Sequence, residues 1–140
     1  MYRIPLGFYH PQKHLIPEKR TEIAQQLDVY PTILDLLNVK KRYYSFGTSL
    51  LQNTERHAFT HLQGSYYYYH GEEMMTFSME KAQNLLNFTR GRISVPDSLR
   101  FYPKKVRKNE DRLKAILQRY GRDVSSRKKG VKNRQLLPTL

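Results

Sequence analysis

Asp28-Val29-Tyr30-Pro31-Thr32-Ile33-Leu34-Asp35-Leu36-Leu37 is the stretch on which the reading of this 140-residue chain turns. Ile23, Leu27, Tyr30, Leu34 and Leu37 recur at spacings of 4, 3, 4 and 3, the period of one helix face. Pro31 forbids a helix through the whole interval, because proline removes a backbone donor and crowds the preceding turn. Starting the helix at Asp28 resolves the conflict. Asp28 then serves as N-cap, its carboxylate accepting a backbone N–H of the first turn. Pro31 falls within that turn, where a missing N–H costs little. Residues 21–26 become extended chain or a short turn, and Asn38, tolerant of the left-handed conformation, ends the helix.

Upstream, residues 2–9 (YRIPLGFY) are rich in apolar residues and read as a strand, with Pro5 placing it at a sheet edge. Residues 10–20, with two prolines among polar residues, read as a surface loop. Downstream, residues 39–54 form a connection containing Gly47. The segments HAFTHLQ, SYYYYHG, EEMMTF and KAQNLLNF between 56 and 88 are broken by Gly64-Ser65, Gly71-Glu72 and Glu80-Lys81. That pattern predicts an antiparallel meander of three or four strands. A loop over 89–109 carries Gly91, Pro96 and Pro103. Leu113, Ile116, Leu117, Tyr120 and Val124 then mark one face of an amphipathic helix over 110–124, with Asn109 as its cap.

The formal net charge is +13, and it is unevenly placed. Residues 1–90 hold 10 Lys/Arg against 8 Asp/Glu, whereas residues 91–140 hold 15 against 4. Such a basic end attracts a polyanion. Arg100 to Arg134 is the expected contact for a membrane surface or other polyanion. Nucleic acid is the less favoured partner, since no recognition-helix or aromatic–basic module accompanies the charge. Residues 125–140 read as a disordered basic tail. With no cysteine, a disulfide framework, a thiolate metal site and a cysteine nucleophile are excluded. No apolar run is long enough to span a bilayer, and Met1-Tyr2-Arg3-Ile4 opens no signal peptide.

The Asp28–Leu37 stretch resembles the "D-x-x-P-T-hydrophobic-L-x-L-L" helix start of sulfatases in the alkaline-phosphatase superfamily. Ile4-Pro5-Leu6-Gly7-Phe8-Tyr9 with His10-Pro11 is similar to the strand that precedes this helix in that family. Ser45-Phe46-Gly47-Thr48-Ser49-Leu50-Leu51 resembles the "G-x-S-L" segment that follows it. Order and spacing agree over residues 2–51, and the lipoteichoic-acid synthase (phosphoglycerol transferase) type is the most similar. The resemblance assigns Asp28, Pro31, Thr32, Gly47 and Ser49 to a structural motif. It implies an α/β fold, α+β as an isolated piece. An edge strand and covering helix of a larger sheet fill residues 1–55. A small antiparallel sheet with a helix fills 56–124.

The family's chemistry is hydrolysis or transfer of sulfuric or phosphoric esters. It uses a threonine or formylglycine nucleophile and a divalent metal, Mn, Ca or Zn. Both lie upstream of the helix motif in the family, the last metal ligands in an Asp-His-Gly segment. Here the one His-Gly, His70-Gly71, follows the motif and is preceded by Tyr69. The resemblance therefore implies a C-terminal segment, inactive alone. Its partner would be an N-terminal catalytic portion, and its parent a membrane-anchored protein with an extracytoplasmic catalytic domain. No cofactor is expected in this chain, and its compartment is left open. The alternative is a stand-alone basic module for anionic lipid, acidic glycan or nucleic acid.

Other candidates have structural readings that outweigh the chemical ones. Asp28 and Asp35 could pair on a metal, but N-cap and solvated side chain are the preferred roles. His10/His14 and His57/His61 have ligand spacing only if helical, and both pairs fall in expected loop or strand. His57, His61, His70, Glu72 and Glu73 could share a metal across strands. Tyr66 to Tyr69 alternate across a strand, two on the core and two half-exposed, with carbohydrate contact as the sharper reading. Arg112, Lys114, Arg119 and Arg122 fall on or beside the solvent side of the last helix.

Overall fold

The computed structural model describes residues 5–12, 18–89, 92–94 and 97–128. Its centre is a five-stranded antiparallel sheet, in order β1 (His57–Leu62), β2 (Ser65–His70), β3 (Glu73–Ser78), β4 (Lys81–Thr89) and β5 (Arg92–Ser94). A short 3-10 turn, Gln26–Asp28, leads into α1 (Val29–Leu36), and α2 (Pro103–Lys128) closes the fold. The α+β architecture expected of the isolated piece is present, with one strand more than the expected meander.

The meander follows from its turns. Gln63 and Gly64 both have positive φ, the pattern of a type I′ hairpin turn, and Gly71 alone is positive in the next, as in type II′. The third turn, Met79-Glu80, has φ of 49° and 62° without a glycine. Left-handed backbone at a residue with a Cβ is unfavourable, so this hairpin is held by its strands more than by its turn.

Register then selects a face. Phe59 pairs with Tyr68, Tyr68 with Met75, and Met75 with Leu85, so one row of apolar side chains crosses four strands. The next row on that face is Tyr66, Phe77 and Ala82. Leu113 of α2 is buried against this layer, with Val106, Ile116 and Leu117 beside it. Each such side chain removed from water stabilises the fold by about 1.5–3 kcal/mol. The third row is polar: His57 faces His70, His70 faces Glu73 and Glu73 faces Asn87. It meets polar residues of α2, with Lys105 Nζ 2.8 Å and Asn109 Nδ2 3.4 Å from the Glu73 carboxylate.

Several sequence expectations are corrected. Residues 5–9 carry no strand, and residues 2–4 lie outside the described residues. The strands of the sheet all come from 57–94, and residues 5–9 pair with neither of its outer strands, β1 or β5. The last helix begins at Pro103, six residues before Asn109. Proline at the first helical position is a start signal, and Pro103 is one such proline rather than a loop marker. Asn109 is no cap; it is buried at 2% exposure inside α2. The helix also runs to Lys128, into the stretch expected as tail; residues 129–140 lie outside the described residues, as does His14. The end of α1 is as expected. Asn38 has φ 53°, Val39 N–H donates to Leu34 C=O at 2.9 Å, and Asn38 N–H donates to Asp35 C=O at 3.0 Å. These are the two bonds of a Schellman ending.

Replacing Met79-Glu80 by Asn-Gly, the favoured type I′ pair, is expected to raise unfolding free energy by about 1–2 kcal/mol. Urea titration of the M79N/E80G double variant checks this, and an unchanged midpoint would mean that the turn is not strained.

Candidate functional site

The five motif residues converge. Asp28 is 4% exposed, and each of its carboxylate oxygens accepts one backbone N–H: Oδ1 from Thr48 at 2.8 Å, Oδ2 from Gln25 at 3.0 Å. The expected cap within the first turn of α1 is absent. The carboxylate reaches instead across 20 residues of chain, because Gly47 brings the 45–51 connection hard against the helix start. A Cβ on Gly47 would lie 2.0 Å from the Leu27 carbonyl oxygen, so no other residue fits there without moving backbone. Thr32 Oγ1 donates to Asp28 C=O and accepts Leu50 N–H at 2.9 Å. Pro31 and Ser49 are fully buried beside them. Arg56 completes the assembly by donating from Nη2 to Ser49 C=O at 2.9 Å and Gln52 C=O at 2.8 Å. Its Nη1 is buried without a partner among the described residues. The clasp thus ties a helix start to a loop through backbone groups, and every oxygen of the Asp28 carboxylate is already engaged.

Gln25, Asp28, Phe46, Thr48, Glu55, Arg56 and His57 line a small cleft beside the clasp, with room for about one water. His57 is half-buried at its edge. Burial holds the His57 pKa below the ordinary histidine value; the nearby Asp28 charge opposes this, while His70 and Arg112 add to it.

Two further bridges join the 43–55 connection to α2. Glu55 accepts from Arg112 Nη2 at 2.7 Å, while His70 Nε2 lies 2.7 Å from Glu55 Oε1 and 2.6 Å from Arg112 Nη1. A neutral ring nitrogen either donates to the carboxylate or accepts from the guanidinium, so Glu55 and Arg112 compete for the His70 tautomer. Arg112 first, then His70, holds the Glu55 carboxyl below its usual range. At the other end the Tyr44 hydroxyl hydrogen-bonds the Asp123 carboxylate and accepts from Arg119 Nε at 3.0 Å. Arg119 also lies over the rings of Tyr44 and Phe46. Burial, then the Asp123 bond, pushes the Tyr44 pKa up. No short motif signals either bridge, since the partners stand 57 and 79 residues apart in sequence.

The remaining candidates separate. Asp35 accepts from Gln52 at 3.2 Å and shares nothing with Asp28. His57 and His70 sit opposite each other, but His61 lies toward the far end of β1 against Tyr66. Among the described residues no group of three His, Cys, Asp or Glu is placed to hold a metal. Tyr66 and Tyr68 face α2 with the core, while Tyr69 meets Phe88 edge-on on the opposite face. Compared with known protein families, curated proteins and solved structures, the chain gives no match.

Asp28→Asn keeps the shape but turns an amide N–H toward a backbone N–H, and is expected to cost about 1–3 kcal/mol of stability. Gly47→Ala should cost at least as much, and Asp35→Asn less than about 0.5 kcal/mol. Urea unfolding of the three variants decides; equal midpoints for the Asp28 and Asp35 variants would dissolve the clasp as a stabilising unit. His57 supplies a pH test. Its folded pKa is depressed, so below about pH 6.5 the unfolded chain takes up a proton that the fold resists. Stability should therefore fall as pH drops from 7 toward the depressed value. The fall should be shallower in His57→Gln, and identical slopes would contradict it.

Proposed function

We propose that this chain is the C-terminal structural segment of a sulfatase-like protein of the phosphoglycerol-transferase type, inactive until joined to a catalytic portion. The observation that carries the reading is the clasp itself. Asp28, Pro31, Thr32, Gly47 and Ser49, the residues on which the resemblance rests, pack into one buried unit and act on backbone groups. That is the behaviour of a scaffold motif. A nucleophile or metal ligand needs free lone pairs facing a substrate.

A second feature supports the reading. Leu27 in the 3-10 turn, Tyr30 and Ile33 in α1, and Leu37 at its C-cap are 42%, 52%, 41% and 70% exposed. The hydrogen-bonding partners of α1 lie in the connection after it, at Leu50 and Gln52. An apolar stripe left in water marks a contact still to be made. The sheet of the catalytic portion is its proposed cover, with the divalent metal and nucleophile on that portion. Leu6, Phe8 and Tyr9 are exposed as well, and the edge strand they were expected to form is the element such a sheet would pair.

The purified chain should not hydrolyse a chromogenic sulfate ester or phosphodiester with Mn²⁺ or Ca²⁺, and the reading frame upstream should encode an Asp-His-Gly and a threonine, serine or cysteine nucleophile segment. Metal-dependent turnover by the chain, or an unrelated upstream gene, would overturn the proposal. By native mass the isolated chain should self-associate with rising concentration, and a triple L27E/I33E/L37E variant should not. A wild-type monomer with a high, cooperative melting transition would count against an uncovered stripe.

A further inference from the structure

The expected basic contact takes a different form from the one the sequence suggested. Arg112 and Arg119 are committed to Glu55, His70 and Tyr44, and Lys114 lies over the Phe77 ring at 5.4 Å. The uncommitted cations sit elsewhere. Lys104, Arg107, Lys108 and Arg122 are exposed and make no ion pair or hydrogen bond among the described residues. At 3.6 residues per turn they fall on one stripe with Asp111, Ala115 and Gln118. That stripe is diametrically opposite Leu113, the residue α2 buries. It carries four cations and one anion over about 27 Å of helix. Arg100, also exposed and without an ion pair among the described residues, lies in the turn just before α2, where Phe101 is 75% and Tyr102 50% exposed.

We propose that this outer face of α2 is a docking surface for an anionic lipid bilayer, with Phe101 entering the headgroup layer. Three features favour a bilayer over another polyanion. The cations lie within one arc of about 100° on a convex helix, which can meet a plane along its length. Lys and Arg keep their charges at headgroup level while their stems cover apolar surface. Finally, an exposed phenylalanine among cations gains from the acyl boundary, and a purely electrostatic partner offers it nothing of the kind. The core side of α2 stays on the sheet, so docking asks for no unfolding. Docking of this kind depends on α2 and the turn just before it, and holds with or without a sulfatase-like parent.

The chain has no tryptophan, so Phe101→Trp gives a single fluorescent reporter at an exposed position. The full chain and this variant would be titrated with vesicles of phosphatidylcholine, with and without phosphatidylglycerol. Sedimentation with the anionic vesicles only, a blue shift of the F101W indole emission on binding, and release at high salt are expected. K104E/R107E/K108E, which leaves the charges after residue 128 in place, should weaken partition at least about tenfold with an unchanged melting curve. Binding undiminished by the triple reversal would overturn the assignment to α2. Absence of binding at low salt, no blue shift on binding, or tighter binding to a single-stranded oligonucleotide with the F101W indole quenched by stacking would overturn the bilayer.

Discussion

An apolar sheet face cannot be left in water, and the burial of Leu113 over the Phe59–Tyr68–Met75–Leu85 row is what the rest of this fold depends on. Register makes the row. Because side chains alternate, a one-residue slip in any hairpin would send Tyr68 or Met75 to the other face. The turns fix that register, and at Met79-Glu80 the sheet enforces a backbone conformation its residues do not favour. Tertiary burial therefore overrides local preference in the hairpin that joins β3 to β4, the strands that carry Met75 and Leu85.

Once α2 is seated, its remaining side chains are assigned by rotation about one axis. The flank toward the polar row meets Glu73 and His70 through Lys105, Asn109 and Arg112. The later turns meet Tyr44 and Phe46 through Arg119, Tyr120 and Asp123. These contacts carry the 43–55 connection, and with it the Asp28 clasp, onto the helix. The clasp and the core are thus mechanically continuous, although the clasp itself contains almost no apolar side chain. Its stability comes from satisfied backbone donors, which cost more to strand in a buried place than they contribute when paired.

Much of this is legible in the sequence. Gly64 and Gly71 mark their turns, the segments between them have strand composition, and the Leu113–Val124 periodicity gives the face of α2. Asn38 gives the helix end. What is not legible has physical causes. The start of α2 is hidden because Pro103 looks like a loop marker in the sequence, and in the structure it opens a helix. Sequence alone assigns the Asp28 carboxylate to its own helix, because local capping is the commonest use of such a residue. Its actual partners depend on Gly47 reaching Leu27, a tertiary approach that a bare glycine does not announce. Arg112 and Arg119 look like solvent cations for the same reason: Glu55 and Tyr44 are distant in sequence and near only after folding.

The two uncovered surfaces are chemically unlike, and this is informative. On and beside α1 the exposed apolar side chains are Leu27, Tyr30, Ile33 and Leu37, whose burial would be driven by area and would persist at high salt. On α2 the exposed stripe is cationic and its attraction is screened within about 10 Å at ordinary ionic strength. One surface therefore suits a permanent neighbour and the other a reversible one. If both were met by a single partner, that partner would need an apolar groove and an acidic plane in fixed relation. Two separate partners, a protein sheet for α1 and an anionic surface for α2, require no such coincidence, and salt would release the second while leaving the first in place.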